Sequence, residues 1–347
     1  MYKPRYTISD KLLNDIAMIE SCRTNIDTSY ILPEWEIEMR DRASVESTHS
    51  STSIEGNPLG LKQVERVLTE KAQLTRHQYA EIEVKNYKKA LDFIEKRKLN
   101  KIPISLQDMM AIHGLVTDRL LPKEKVGILR KSPIFVTNSD GSVVYTGPEA
   151  TILEREISEL IDWLIYSDTI HPVIVAGILH LWLVSIHPFA DGNGRTARLI
   201  TNLYLGLVNY DFRSSLVLES YYSVDKQAYY DALDLANNYI GRKKSDITPW
   251  LQYFVDGFLS SAKVLSIEVN TLSGLARTND RRRISQSESD LLSYVKQFGA
   301  ITLADAQDIL IGVSRRTVQR KLMKLVDSGY LIIERNGPST RYVWKNS

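Results

Sequence analysis

The 347-residue chain reads as a mostly α-helical protein: a helical body holding one β-hairpin, then a C-terminal winged helix-turn-helix. Three observations predict this. Apolar residues recur at helical spacing through most of residues 1–270. Residues 133–146 break that rhythm with two short β-branched runs around a turn. Beyond a polar stretch at 270–285, the pattern runs helix, helix, turn, helix, hairpin, the order of a winged helix-turn-helix.

In the body, helical periodicity marks 61–72, 78–96, 105–120, 149–167 and 172–186, and further helices are expected at 194–208, 226–240 and 247–267. Breakers separate them: Asn57-Pro58, Ile102-Pro103, His171-Pro172 and His187-Pro188. The runs Pro133–Thr137 and Ser142–Thr146 flank Asn138–Gly141, a turn signal, and form the expected hairpin. The domain boundaries that follow are 1–100 for an N-terminal helical region, 101–269 for the core, 270–285 for a linker and 286–347 for the tail. Within the tail, helices are expected at 286–298, 302–309 and 314–328, and strands at 330–334 and 340–344.

Composition narrows the class. Hydrophobic residues make up 43% and charged residues 25%, an ordinary globular balance that excludes a mostly disordered chain. The net charge of +2 hides a split: residues 277–347 carry 13 Lys/Arg against 7 Asp/Glu, so the remainder is net acidic. The lone Cys22 excludes an intramolecular disulfide and a cysteine-cluster metal site. No apolar leader segment follows the N-terminus, and the longest apolar stretch, Val173–Ile186, falls short of the roughly 20 residues a membrane span needs. The expectation is a soluble, cytoplasmic protein with no membrane partner.

The most informative segment is His187-Pro-Phe-Ala-Asp-Gly-Asn-Gly-Arg-Thr-Ala-Arg198. His187 lies between an apolar helix and a proline, on a loop. Gly192 and Gly194 let backbone approach a ligand closely. They precede a helix, whose first N–H groups and dipole favour an anion. Asp191 can hold Mg²⁺ through oxygen. Arg195 and Arg198 share a helix face and offer two forks to phosphate oxygens. A base, a metal ligand, an anion nest and two arginines suit phosphoryl or nucleotidyl transfer.

This segment resembles the signature HPFx[D/E]GNGRxxR of the Fic (filamentation induced by cyclic AMP) family at every fixed position. The resemblance covers about residues 40–260. It implies the Fic helical fold and transfer of AMP from ATP to a Ser, Thr or Tyr hydroxyl of a target protein, possible targets including the chain itself. It implies that His187 is the base, and that Asp191 holds Mg²⁺. ATP is implied to be bound by Asp191, Gly192, Asn193, Gly194, Arg195, Thr196, Ala197 and Arg198, with Phe189 anchoring the loop. The hairpin matches the family's flap, which places Pro133, Ile134, Phe135, Val136 and Thr137 near the nucleotide and the target segment. Residues 228–237 resemble the downstream helix that lines the adenine pocket, giving Tyr229, Tyr230 and Asn237 as candidates. Ser51-Thr-Ser-Ile-Glu55-Gly56 resembles the inhibitory motif [S/T]xxxE[G/N] on a helix at about 40–56, with Glu55 paired to Arg198 where the γ-phosphate belongs. Family members often dimerise, so a homodimer is among the expected partners.

On the expected third tail helix stand Arg315, Arg316, Arg320, Lys321 and Lys324, with Arg335 and Arg341 flanking the wing tip. That is a phosphate-contact footprint, and DNA is the expected partner of the tail. Three readings stay open from sequence: a self-inhibited adenylyltransferase; a DNA-binding regulator using the Fic module as a nucleotide sensor; and a Fic enzyme that removes AMP or transfers another phosphate-containing group.

Overall fold

The computed structural model describes residues 3–69, 78–137, 141–278, 285–336 and 339–345. The described helices begin with α1 (Asp10–Thr28), α2 (Pro33–Ile54), α3 (Leu61–Thr69), α4 (Gln78–Arg97) and α5 (Leu106–Thr117). Strands β1 (Phe135–Thr137) and β2 (Val143–Thr146) follow as an antiparallel hairpin. Then come α6 (Leu153–Ile165), α7 (Pro172–Ile186), α8 (Asn193–Leu207), α9 (Glu219–Val224), α10 (Lys226–Leu233), α11 (Tyr239–Lys244) and α12 (Thr248–Thr278). The chain ends with α13 (Gln286–Phe298), β3 (Ala300–Thr302), α14 (Leu303–Ile309), α15 (Arg315–Asp327), β4 (Leu331–Asn336) and β5 (Ser339–Trp344). Two compact units result: residues 1–24 with 43–265, and residues 25–42 with 266–347.

The first unit is built around α7. Every residue from Val173 to Ile186 except Val184 is buried. A helix apolar on all sides has to lie at the centre of a core. Pro172 at its first position costs no hydrogen bond, because that N–H has no partner inside the helix. Gly177 lets α12 approach closely. A Cβ there would sit 3.0–3.2 Å from Leu251 and Phe254, and the Trp250 indole N–H donates to the Gly177 carbonyl at 2.8 Å.

The second unit packs α13, α14 and α15 against an antiparallel sheet of order β3-β5-β4. Its core joins Leu291, Leu292, Val295, Val318, Leu322, Leu325 and Tyr342 with Ile37 from α2. Capping boxes start two of its helices, Ser285 with Glu288 and Thr302 with Asp305.

Several expected boundaries move. The apolar period predicts one helix over 226–240. The chain instead leaves α10 at Leu233 and restarts at Tyr239, because the Asn238 side chain accepts from the Gly241 N–H and caps a new helix. Helix α12 runs on to Thr278, through most of the segment expected as linker; residues 279–284 lie outside the described residues. Its buried face there is Val269, Ser273 and Ala276, two of them too small or polar to register as an apolar stripe. Pro133 and Ile134 precede β1 instead of belonging to it, and part of the expected turn, 138–140, lies outside the described residues. Strand β3, three residues long, is too short to show alternation. Among the described residues no helix is long and apolar enough to cross a membrane.

His180 sits at the middle of α7, 1% exposed, with its Nε2 2.8 Å from the Tyr229 hydroxyl. Burial pushes its imidazole down to about 3, with Arg198 acting the same way. The unfolded chain takes up a proton below about 6.5 and the folded one does not, so folding stability falls as pH drops through that range. Thermal melts from pH 7.5 to 5 are expected to show a falling Tm, and a shallower fall in His180→Gln. Equal pH dependence in the two proteins would contradict a neutral buried His180.

Candidate active site

The loop from His187 to Gly192 joins α7 to α8. His187 ends α7 in the left-handed region, at φ 47°, an uncommon conformation for a residue with a side chain. Such a residue persists only when its surroundings over-determine it. Here the loop carbonyls are held one after another. Arg130 Nε donates to the His187 carbonyl at 2.8 Å, and the Arg130 N–H to that of Pro188 at 3.0 Å. The Asn193 amide closes a ring on Phe189, accepting from its N–H and donating to its carbonyl, both at 2.9 Å. Phe189 is buried and stacks flat on His113 at 3.8 Å. His113 Nδ1 accepts from the Gly127 N–H, so its Nε2–H donates to the Asp191 carbonyl; both bonds are 3.0 Å.

This frame aims the His187 ring. Its Nδ1 is 3.2 Å from the Val184 carbonyl, an acceptor, so Nδ1 carries the proton and Nε2 keeps its lone pair. Burial pushes the imidazole down to about 4, against smaller upward effects of the Val184 bond and Glu55. His187 is therefore neutral and able to accept a proton at pH 7.

Helix α8 opens at Gly192, φ 74°, where a Cβ would press on Thr117. Its first N–H groups have no partner within the helix. Asp191 Oδ1 accepts from the Gly192 N–H at 2.6 Å and lies 3.8 Å from Arg195, while its side chain stays 58% exposed. Arg195 is buried and paired to Glu83 of α4, which also accepts from the Asn57 amide at 2.6 Å. Arg198, 2% exposed, donates from Nε to Ser51 Oγ at 2.8 Å. Its Nη2 donates to the Ser51 carbonyl at 3.0 Å and to Glu55 Oε1 at 2.6 Å.

The end of α2 thus meets the start of α8. A Cβ on Gly194 would collide with the Glu55 carboxylate, so that carboxylate lies against the bare backbone of the helix start. Burial alone would raise the Glu55 carboxyl; the guanidiniums of Arg198 and Arg195 outweigh it and hold the group below its ordinary range. Gly56 follows at φ 93°, the left-handed position that ends a helix. Two side chains cap the last carbonyls of α2: Lys226 donates to that of Ser53 and the Tyr230 hydroxyl to that of Ile54.

The remaining expected residues divide. Thr196 and Ala197 are buried in α8, facing the core. Tyr229, expected to line a nucleotide pocket, is 2% exposed, stacks on Tyr222 and has its hydroxyl on His180. Tyr230 is exposed. Asn237 lies in the loop after α10 instead of on a helix, and its carbonyl accepts from the Thr146 N–H of β2. Of the expected flap residues, Phe135 is 56% exposed on β1, whose second edge has no partner strand among the described residues.

Three contributors escaped the sequence reading: Glu83, His113 and Arg130. Glu83 sits on the charge-rich α4 as one acid among several. Arg130, 6% exposed, is the most consequential. Besides His187, its Nη1 donates to the Ser132 carbonyl at 2.8 Å and its Nη2 to that of Pro148 at 2.6 Å. One guanidinium thereby ties both feet of the hairpin to the loop. Tyr145 adds a second root, its hydroxyl donating to the Ser185 carbonyl at 2.6 Å.

Known proteins resemble this chain in sequence and in fold. Residues 103–205 match the Fic/DOC family. Proteins named protein adenylyltransferase Fic are similar to it. The one from Nematostella vectensis is 26% identical over 77% of this chain and 62% of its own length. The one from Culex quinquefasciatus is 31% identical over 62% of this chain and 40% of its own. The chain therefore spans about 40 to 62% of these relatives. Among solved structures, a Fic family protein from Desulfovibrio desulfuricans G20 superposes with a TM-score of 0.65, covering 100% of this chain and 99% of that one, at 22% identity. Fic-1 from C. elegans superposes with a TM-score of 0.55 over 77% of this chain and 74% of its own, at 24% identity. At these identities, the structural likeness speaks for the fold.

Lysine has neither the planar fork nor enough reach to replace Arg130 at three carbonyls. Arg130→Lys is expected to lower stability by about 1–3 kcal/mol, the cost of leaving buried acceptors unpaired. Hydrogen exchange should quicken at Thr146 and Gly147 in the hairpin while α7 stays protected. Unchanged exchange in the hairpin would show that Arg130 does not hold it.

Proposed function

We propose that this chain is a self-inhibited protein adenylyltransferase, moving AMP from ATP to a Ser, Thr or Tyr hydroxyl of a target protein. One observation carries the reading: the neutral His187, the start of α8 and Arg198 lie beside the Glu55 carboxylate at the end of α2.

In the proposed reaction the target hydroxyl oxygen attacks the α-phosphorus of ATP. Its proton goes to His187 Nε2. The bond from the α-phosphorus to the bridging oxygen breaks, and pyrophosphate leaves. The N–H groups at the start of α8 hold phosphate oxygens, and Arg195 and Arg198 neutralise the leaving group. The free edge of β1 aligns the target segment by strand pairing. Tyr230, Asn237 and residues 133–137 remain the candidates for adenine and target contacts.

Magnesium fits one residue here. Among the described residues no group of three or more His, Cys, Asp or Glu could hold a metal alone. Mg²⁺ in nucleotide sites is commonly held by one or two carboxylates with substrate phosphates. Asp191, exposed and next to the anion site, would supply that carboxylate, and the ion would neutralise phosphate charge.

The position of Glu55 supports the inhibitory part of this reading. Its carboxylate occupies the helix start and takes an Arg198 donor that a γ-phosphate would need. A buried ion pair is hard to break from one side, which makes the brake firm. Ser51 shares that guanidinium, and Gly56 turns the chain away immediately afterwards. For the second unit we propose the winged helix-turn-helix that its element order matches.

Incubation with α-labelled ATP and Mg²⁺ tests both parts. Glu55→Gly is expected to raise label transfer, including to the chain itself, about tenfold or more, a factor worth about 1.4 kcal/mol. His187→Ala in that background should cost about 100-fold or more. Equal label in wild type and Glu55→Gly sinks the brake; label surviving His187→Ala sinks the base. The acid limb of the Glu55→Gly pH profile should lie near or below about 4. His187 must be neutral to act, and removing Glu55 withdraws an influence that raised it. A limb near 6.5 would contradict a buried base.

A further inference from the structure

The second unit carries a basic surface that adenylyl transfer does not use. Its overall charge is nearly balanced, at 15 Lys/Arg against 13 Asp/Glu, because residues 25–42 bring acids into it. Many cations there are already neutralised: Arg40 by Glu36 and Asp290, Arg42 by Glu268, and Lys296 by Asp41. What matters is which cations have no counter-charge.

They gather on α15. Val318, Leu322 and Leu325 face the core at spacings of four and three. Arg316 and Arg320 stand on the opposite face, with Gln319 at its edge and Arg315 in the first turn, all four exposed. No ion pair or side-chain hydrogen bond holds these three guanidiniums among the described residues, whereas Lys324, nearer the C-terminus, pairs with Glu288. Ser314 caps the helix, its side chain accepting from the Thr317 N–H, and α14 precedes it across a short turn. The strands β4 and β5 follow, with Arg341 exposed on the last.

We propose that the second unit binds duplex DNA, with α15 in the major groove. The helix that follows the turn in such a fold enters the groove by its N-terminal residues, and here those residues are the unpaired ones. Three exposed guanidiniums along about one and a half turns fit the phosphates that flank a groove. Gln319 stands among them, a side chain that can hydrogen-bond the edge of adenine, as arginine can that of guanine. The choice of DNA over an acidic protein rests on Gln319 and on the helix-turn-helix setting. A protein partner needs only the charge, whereas a groove needs a narrow helix end with forked donors on both flanks.

The test uses the full chain and a labelled random-sequence duplex of about 25 base pairs, read by fluorescence anisotropy. Binding at about 50 mM salt is expected, weakening steeply as salt rises. The triple variant R315A/R316A/R320A should lose about tenfold or more in affinity, and its dependence of log K on log salt should flatten by about 3. All three side chains are exposed and distant in sequence from the His187 loop, so melting temperature and label transfer should not change. Absence of duplex binding at low salt overturns the proposal. So does binding that the triple variant leaves intact, or equal affinity for duplex and for a poly-glutamate peptide.

Discussion

A guanidinium sealed from water needs an anion, and the first unit is arranged around meeting that need for Arg198. Burying a charge without a partner costs several kcal/mol, so whatever sits beside Arg198 must be negative or richly accepting. Ser51 offers a hydroxyl and a carbonyl, and Glu55 a carboxylate. The demand explains why α2 must end where it does, and why a left-handed glycine follows at once. It also explains the coupling to α10, whose Lys226 and Tyr230 cap the same helix end. A phosphate oxygen could satisfy the same guanidinium, so the fold requires an anion there without dictating which.

The loop between α7 and α8 depends on a complementary constraint. Its shape is unfavourable for His187 and is imposed by neighbours that satisfy its carbonyls in turn. Arg130, Asn193 and His113 share this work, and none of them needs to touch a ligand to matter. Because Arg130 also holds the hairpin, the loop and the strand edge form one mechanical piece.

Much of this was legible in the sequence. Helix α7 appears with its observed limits because fourteen nearly unbroken apolar residues between two prolines admit little else. The His187–Arg198 segment stood out through residue types that are individually ordinary and jointly rare. Glu55 was legible only through a motif, since an acid before a glycine looks like any helix end. Glu83 and Arg130 were not legible. Each is a charged residue whose importance lies in a partner far along the chain, and spacing carries no record of such pairs. Tyr229 misled for the opposite reason: a tyrosine beside a site resembles a pocket wall until its hydroxyl is seen to be taken by His180. The break at Asn238 and the long run of α12 were decided by a cap and by small buried residues, signals weaker than apolar periodicity.

Gly194 gives the arrangement one further property. The space its missing side chain leaves is filled by a carboxylate from the same chain, which makes Glu55 a tethered ligand. A tethered ligand competes at an effective concentration set by the polypeptide path, and that concentration does not fall when the protein is diluted. On the proposed function, a free nucleotide would have to outcompete a rival whose abundance is written into the fold. Any event that lengthens or loosens the tether, such as fraying at the last turn of α2, lowers that internal concentration without altering a single residue of the site.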